Sequence, residues 1–85
     1  MNAKAIESAL LELIDALAGR FPLEQIAGMR QLVHAGESGV AFENLCTQLF
    51  EHDVVPDGLT ISHLHDLGSA LEVDSKYWRR LQPDE

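Results

Sequence analysis

The sequence predicts an all-α fold: a compact antiparallel bundle of four main helices closed by a short C-terminal helix. Three observations carry this expectation. Apolar residues recur at helical spacing in four successive segments, which lines one face of each helix. Glycine- or proline-containing breaks separate those segments. No stretch sustains the apolar–polar alternation of a half-buried strand, so no strand is assigned. The 85 residues read as a single domain, 1–85, without internal repeat, low-complexity run or linker. A chain this short buries only about 60% of the surface its unfolded form exposes, so the core must be small.

The first helix is expected from Ala3 to Ala18. Ile6, Leu10, Leu13, Ile14 and Leu17 share one stripe, opposite Lys4, Ser8, Glu12 and Asp15, while Leu11 falls among the polar positions. Gly19 is the expected stop, because glycine accepts the left-handed conformation that closes many helices. Pro22 suits the first position of a second helix, where no N–H is needed. Ile26, Met29 and Val33 form its stripe, and Gly36 ends it. Gly36-Glu37-Ser38-Gly39 has the composition of a turn. A third helix follows from Val40 to His52, with Ala41, Phe42, Leu45, Cys46, Leu49 and Phe50 inward and Glu43, Asn44, Thr47, Gln48 and Glu51 outward. Pro56-Asp57-Gly58 is a strong turn signal. The fourth helix is expected from Thr60 to Leu71, capped by Thr60 or Ser62. Ile61, Leu64, Leu67 and Leu71 point inward, and Gly68 on that stripe permits close approach. Asp74 caps a last short helix through Leu81, anchored by Tyr77, Trp78 and Leu81; Tyr77 and Trp78 could serve as interface hot spots, but in so small a protein they are expected to close the bottom of the core.

Charge is the most uneven property of the chain. Fourteen Asp and Glu face six Lys and Arg, a formal net charge of -8. Met1 to Ser75 hold twelve of the acids and three of the bases, while Lys76, Arg79 and Arg80 bunch near the end. Phosphate affinity comes from Lys and Arg, so nucleic acid and anionic membrane are disfavoured as direct ligands. A cationic protein surface is favoured instead. An apolar fraction of 46% argues against disorder. Cys46 is the single cysteine, so no internal disulfide is possible, and neither a signal peptide nor a membrane span is read; cytoplasm is the expected compartment.

Catalytic chemistry finds no motif here, and the expectation is a non-enzyme with no metal and no cofactor. His63 and His65, two apart on a helix, face different directions, and His34 and His52 have no ligand spacing to either; they read as scattered surface histidines. Cys46 on the apolar side of its helix reads as a small core hydrophobe. What remains is the polar face of the third helix. Glu43, Thr47 and Glu51 fall on one line, and Glu37, Asp53 and Asp57 flank its two ends. These six residues are the expected partner-binding surface.

The segment His34-Ala35-Gly36-Glu37-Ser38-Gly39-Val40-Ala41-Phe42-Glu43-Asn44-Leu45-Cys46 resembles the MafI-type family of small bacterial immunity proteins, with its His-x-Gly-Glu turn leading into an Ala-x-Glu-x-Leu helix. Leu67-Gly68, Leu71 to Asp74 and the Tyr77-Trp78-Arg79-Arg80-Leu81 ending are similar to that family's C-terminal half. The resemblance implies an antitoxin, made beside a polymorphic toxin of contact-dependent inhibition or a related system, that binds the toxin's C-terminal domain in the cytoplasm. Many such toxins are RNases or other nucleases, whose active sites must be cationic to hold phosphates. The alternatives are an atypical acyl-carrier domain, from the Asp74-Ser75 pair, or a small helical adaptor that binds a transcription factor. Ser75 lies far from the mid-chain helix start that carriers use, which favours the immunity reading.

Overall fold

Helix α1 (Ala3–Leu17) starts where the Asn2 side chain accepts a hydrogen bond from the Ala5 N–H at 2.8 Å, satisfying one of the donors that a helix start leaves open. The computed structural model of the chain describes residues 2–79 and Leu81. Arg80, a member of the basic cluster and of the family-like ending, lies outside them. Helices α2 (Leu23–His34), α3 (Ser38–Glu51) and α4 (Gly58–Ala70) follow, with 3-10 turns at Ala18–Arg20 and Ser75–Tyr77. Among the described residues there is no strand, and the fold is all-α.

The apolar stripes form the core. Leu10, Ile14, Met29, Phe42, Leu45, Leu49 and Leu64 are fully enclosed, each contributing about 1.5–3 kcal/mol of burial. Leu11 and Leu71 are half-buried against this core, so Leu11 is not the outward leucine its position suggested. Phe50 departs in the other direction and remains 55% exposed. Eight residues beyond Phe42, it sits about 80° round the helix and at the edge of the buried arc.

Helix boundaries depart from expectation for local reasons. Gly19 does not stop α1 in a left-handed conformation; the chain tightens into the 3-10 turn, and among the described residues those of positive φ are Gly36, Asp53 and Glu72. Pro22 caps α2 from outside rather than opening it. Ser38 and Gly39 belong to the first turn of α3 rather than to the preceding turn. Helix α4 starts at Gly58, and its cap is Asp57, not Thr60 or Ser62. The last helix shrinks to the 3-10 turn, capped by Asp74 accepting from the Lys76 N–H at 3.0 Å.

Helices α2, α3 and α4 end in the same way. After α2, Glu37 N–H donates to the Leu32 carbonyl (2.8 Å) and Gly36 N–H to Val33 (3.1 Å). After α3, Val54 donates to Leu49 (2.9 Å) and Asp53 to Phe50 (3.2 Å). After α4, Val73 donates to Gly68 (3.0 Å) and Glu72 to Ser69 (3.1 Å). Each pair is a Schellman closure around one left-handed residue, but only the first uses glycine.

Topology also departs from simple neighbour packing. Helix α3 packs on α2 and α1, and the edge contact of the Phe21 and His52 rings at 5.8 Å joins the start of α2 to the end of α3. That pair is antiparallel. Helix α4 instead packs chiefly against α1, and the irregular segment 54–57, with Pro56 buried, carries the chain away from α3. The closing turn packs on α3. From there the Trp78 indole reaches bare backbone at Gly68 on α4 and donates from Nε1 to the Val73 carbonyl at 3.1 Å.

Candidate functional site

The candidate surface is built on α3. Glu43, Thr47 and Glu51 are spaced at i, i+4 and i+8, which aligns them on one side over about 12 Å of helix. Glu51 is exposed, while Glu43 and Thr47 are half-buried. Directly beside that line runs a hydrogen-bonded ladder. Gln48 Nε2 donates to Asn44 Oδ1 at 3.5 Å, and Gln48 Oε1 lies 3.0 Å from His52 Nε2. The ladder restrains the polar face on which the acids sit.

The flanking acids occupy both ends of this helix. Glu37 stands at the N-cap of α3, exposed, with no capping bond from its carboxylate. A negative charge there suits the helix dipole without being consumed by a hydrogen bond. Asp53 is the exposed left-handed residue of the α3 closure. Asp57 belongs to α4, where its carboxylate accepts from the Thr60 N–H at 2.8 Å. That bond, the Thr60 hydroxyl and the nearby His63 hold the Asp57 carboxyl below the usual aspartate range, with slight burial opposing them. Glu43, Thr47, Glu51 and Asp53 therefore belong to one helix and its closure. Glu37 is at the far end of that helix, and Asp57 is tied to the next one.

Little positive charge balances this region. No Lys or Arg occurs between Arg30 and Lys76. Among the described residues one ion pair forms, between Arg30 and Asp15, and it takes none of the six candidates.

Compared with protein-family models, curated proteins and solved structures, the chain matches none.

The remaining polar residues are dispersed. His34 and His63 are exposed, and His52 bonds Gln48. His65 is not a surface histidine: its ring lies 5.1 Å from that of Trp78, and its Nε2 is buried without a hydrogen-bond partner among the described residues. Cys46 is fully buried in the core and forms no disulfide. Ser75 opens the 3-10 turn, where its carbonyl accepts from Trp78 and Arg79. Among the described residues no three His, Cys, Asp or Glu side chains are grouped to hold a metal ion, and no helix is long and apolar enough to cross a membrane.

Sequence reasoning missed one concavity, a groove of about 440 Å³ between α1 and α4. Its α1 wall presents Ala9, Glu12, Leu13 and Ala16, and its α4 wall Leu59, Thr60, His63, Asp66 and Leu67. The signal was the exposed Leu59. Reading Pro56-Asp57-Gly58 as a turn with α4 starting at Thr60 left that leucine outside the helix. With Asp57 as cap, Leu59 becomes the second residue of α4 and stands 70% exposed at the groove.

Proposed function

We propose that this chain is an immunity protein that binds and neutralises the C-terminal domain of a cognate toxin, a basic RNase or other nuclease, in the cytoplasm. The observation that carries this reading is the acidic face of α3. Glu43, Thr47 and Glu51 lie on a helix packed against α1 and α2, with Asp53 at its closure, in a stretch without Lys or Arg from 31 to 75. Such a face is complementary to the cationic cleft of a phosphate-handling enzyme. Inhibition is stoichiometric, by occupying the toxin's active site or by closing it from beside. The resemblance of the segment 34–46 and of the chain's ending to MafI-type immunity proteins supports the same role.

The test is co-purification with the C-terminal domain of the toxin encoded beside this chain, followed by a nuclease assay with and without the protein. One equivalent should abolish cleavage. The double variant Glu43→Lys/Glu51→Lys should weaken the complex about tenfold or more and flatten its salt dependence. Unchanged affinity would remove this face as the contact, and failure to inhibit the nuclease at all would overturn the immunity reading.

A further inference from the structure

The α1–α4 groove has an apolar floor and acidic walls. Leu13 and Leu67 are buried beneath it, and Ala9 and Ala16, two turns apart on α1, contribute only methyl groups above them. Leu59 stands exposed at its edge, on a helix that buries four other residues. One carboxylate rises from each helix, Glu12 from α1 and Asp66 from α4, and among the described residues no Lys or Arg lines the space. His63 and Thr60 complete the α4 wall.

We propose that this groove seats an apolar side chain of a basic amphipathic segment of a partner protein, with the segment's Lys or Arg residues reaching Glu12 and Asp66. The fit is one of charge and pattern together. An amphipathic helix offers apolar anchors at i, i+3 and i+4 with charged residues on either side, and the groove offers the inverse, a leucine-lined trough between two acidic edges. A second copy of this chain is the wrong occupant, since each copy carries a net charge of -8. A small neutral ligand would leave the two carboxylates without a counterpart. The proposal goes beyond the α3 face because it involves different helices, and it shares with that reading only the basic character of the partner.

The experiment titrates the isotope-labelled full chain with a synthetic amphipathic Leu–Lys peptide and with its Leu–Glu counterpart, following backbone amide shifts. The Leu–Lys peptide should move Ala9, Leu13, Ala16, Leu59 and Thr60 saturably, and the Leu–Glu peptide should not. Leu59→Asp should weaken binding about tenfold. Glu12→Gln/Asp66→Asn should weaken it several-fold and lessen its sensitivity to salt, while Glu43→Lys/Glu51→Lys should leave the groove shifts in place. Leu59 is solvent-exposed, so thermal melts of its variant should match the parent. Equal binding of both peptides, shifts confined to other helices, or unaltered affinity of Leu59→Asp would each overturn the proposal. The two readings fail separately: toxin capture without any response at the groove sinks the groove alone, whereas groove binding without toxin inhibition sinks the immunity reading alone.

Discussion

Gly68 and Trp78 show how much depends on one missing side chain. A Cβ at position 68 would lie within 2.8 Å of Trp78 Cε2, inside the space the indole fills. Gly68→Ala should therefore displace the ring and cost about 1–3 kcal/mol, the usual range for an overpacked site. Trp78 is the sole tryptophan, so urea titration followed by its fluorescence reads both effects; an unchanged midpoint and emission would mean that the turn re-docks freely. The left-handed residues make the opposite prediction. Glu72 holds φ at 56° on the surface, a conformation that crowds any Cβ. Glu72→Gly should stabilise the fold by about 0.5–1 kcal/mol after the entropy that glycine adds to the unfolded chain is counted, a gain visible as a higher urea midpoint at constant m-value. Sequence reasoning reached Gly68 and Trp78 separately, as a close approach and a core closure. It did not reach their pairing, because ten residues and a turn of unpredicted geometry separate them. Asp53 and Glu72 were not legible at all, since glycine or asparagine is the signal for that conformation.

Among the helices, the buried stripes of α1, α2 and α4 were legible because each spans several turns, and periodicity averages out local irregularity. The ends were not. Each boundary is decided by one or two hydrogen bonds, and Asp57 illustrates the point: as part of Pro-Asp-Gly it signals a turn, and as a carboxylate three residues before a free N–H it signals a cap. Its carboxyl is held low chiefly by the Thr60 N–H, then by the Thr60 hydroxyl. With the folded pKa below the unfolded value of about 3.9, the charged cap stabilises α4 fully above that value and is lost as the pH falls through the lowered folded value. Asp57→Asn keeps an acceptor that does not titrate. Over that acid window it should lose less stability than the parent, and parallel acid dependences would sever Asp57 from the effect. The Arg30–Asp15 bridge between α1 and α2 should matter little. Both side chains are about half exposed, so Arg30→Ala should cost less than about 1 kcal/mol.

For the molecule as a whole, the net charge of -8 opposes compaction in a domain with a small core. Raising salt from about 0.01 to about 1 M shortens the screening length from about 30 to about 3 Å, and the thermal midpoint should rise by a few degrees as self-repulsion fades. A fall would mean that attractive pairs outweigh the repulsion. The acidic α3 line was legible because i, i+4 spacing needs only a helix. The groove was not, because it exists only where α4 crosses α1, a neighbour relation that chain order did not foretell: the buried Pro56 segment sends α4 past α3 to the first helix. Shape between elements is a property of topology, and composition carries no record of it.

The shared closure of three helices has a consequence for how this chain would vary. Two of its three left-handed positions hold an acid where glycine would relax the backbone, and each codon for Asp or Glu becomes a glycine codon by changing its middle base alone. Random mutagenesis under heat selection should therefore meet Asp53→Gly and Glu72→Gly early, as neighbours one nucleotide away. Glu72→Gly removes charge outside the acidic α3 surface, whereas Asp53→Gly removes one of its members. Recovering the first freely, and the second only when binding is not demanded, would separate what these acids do for the fold from what they do for a partner.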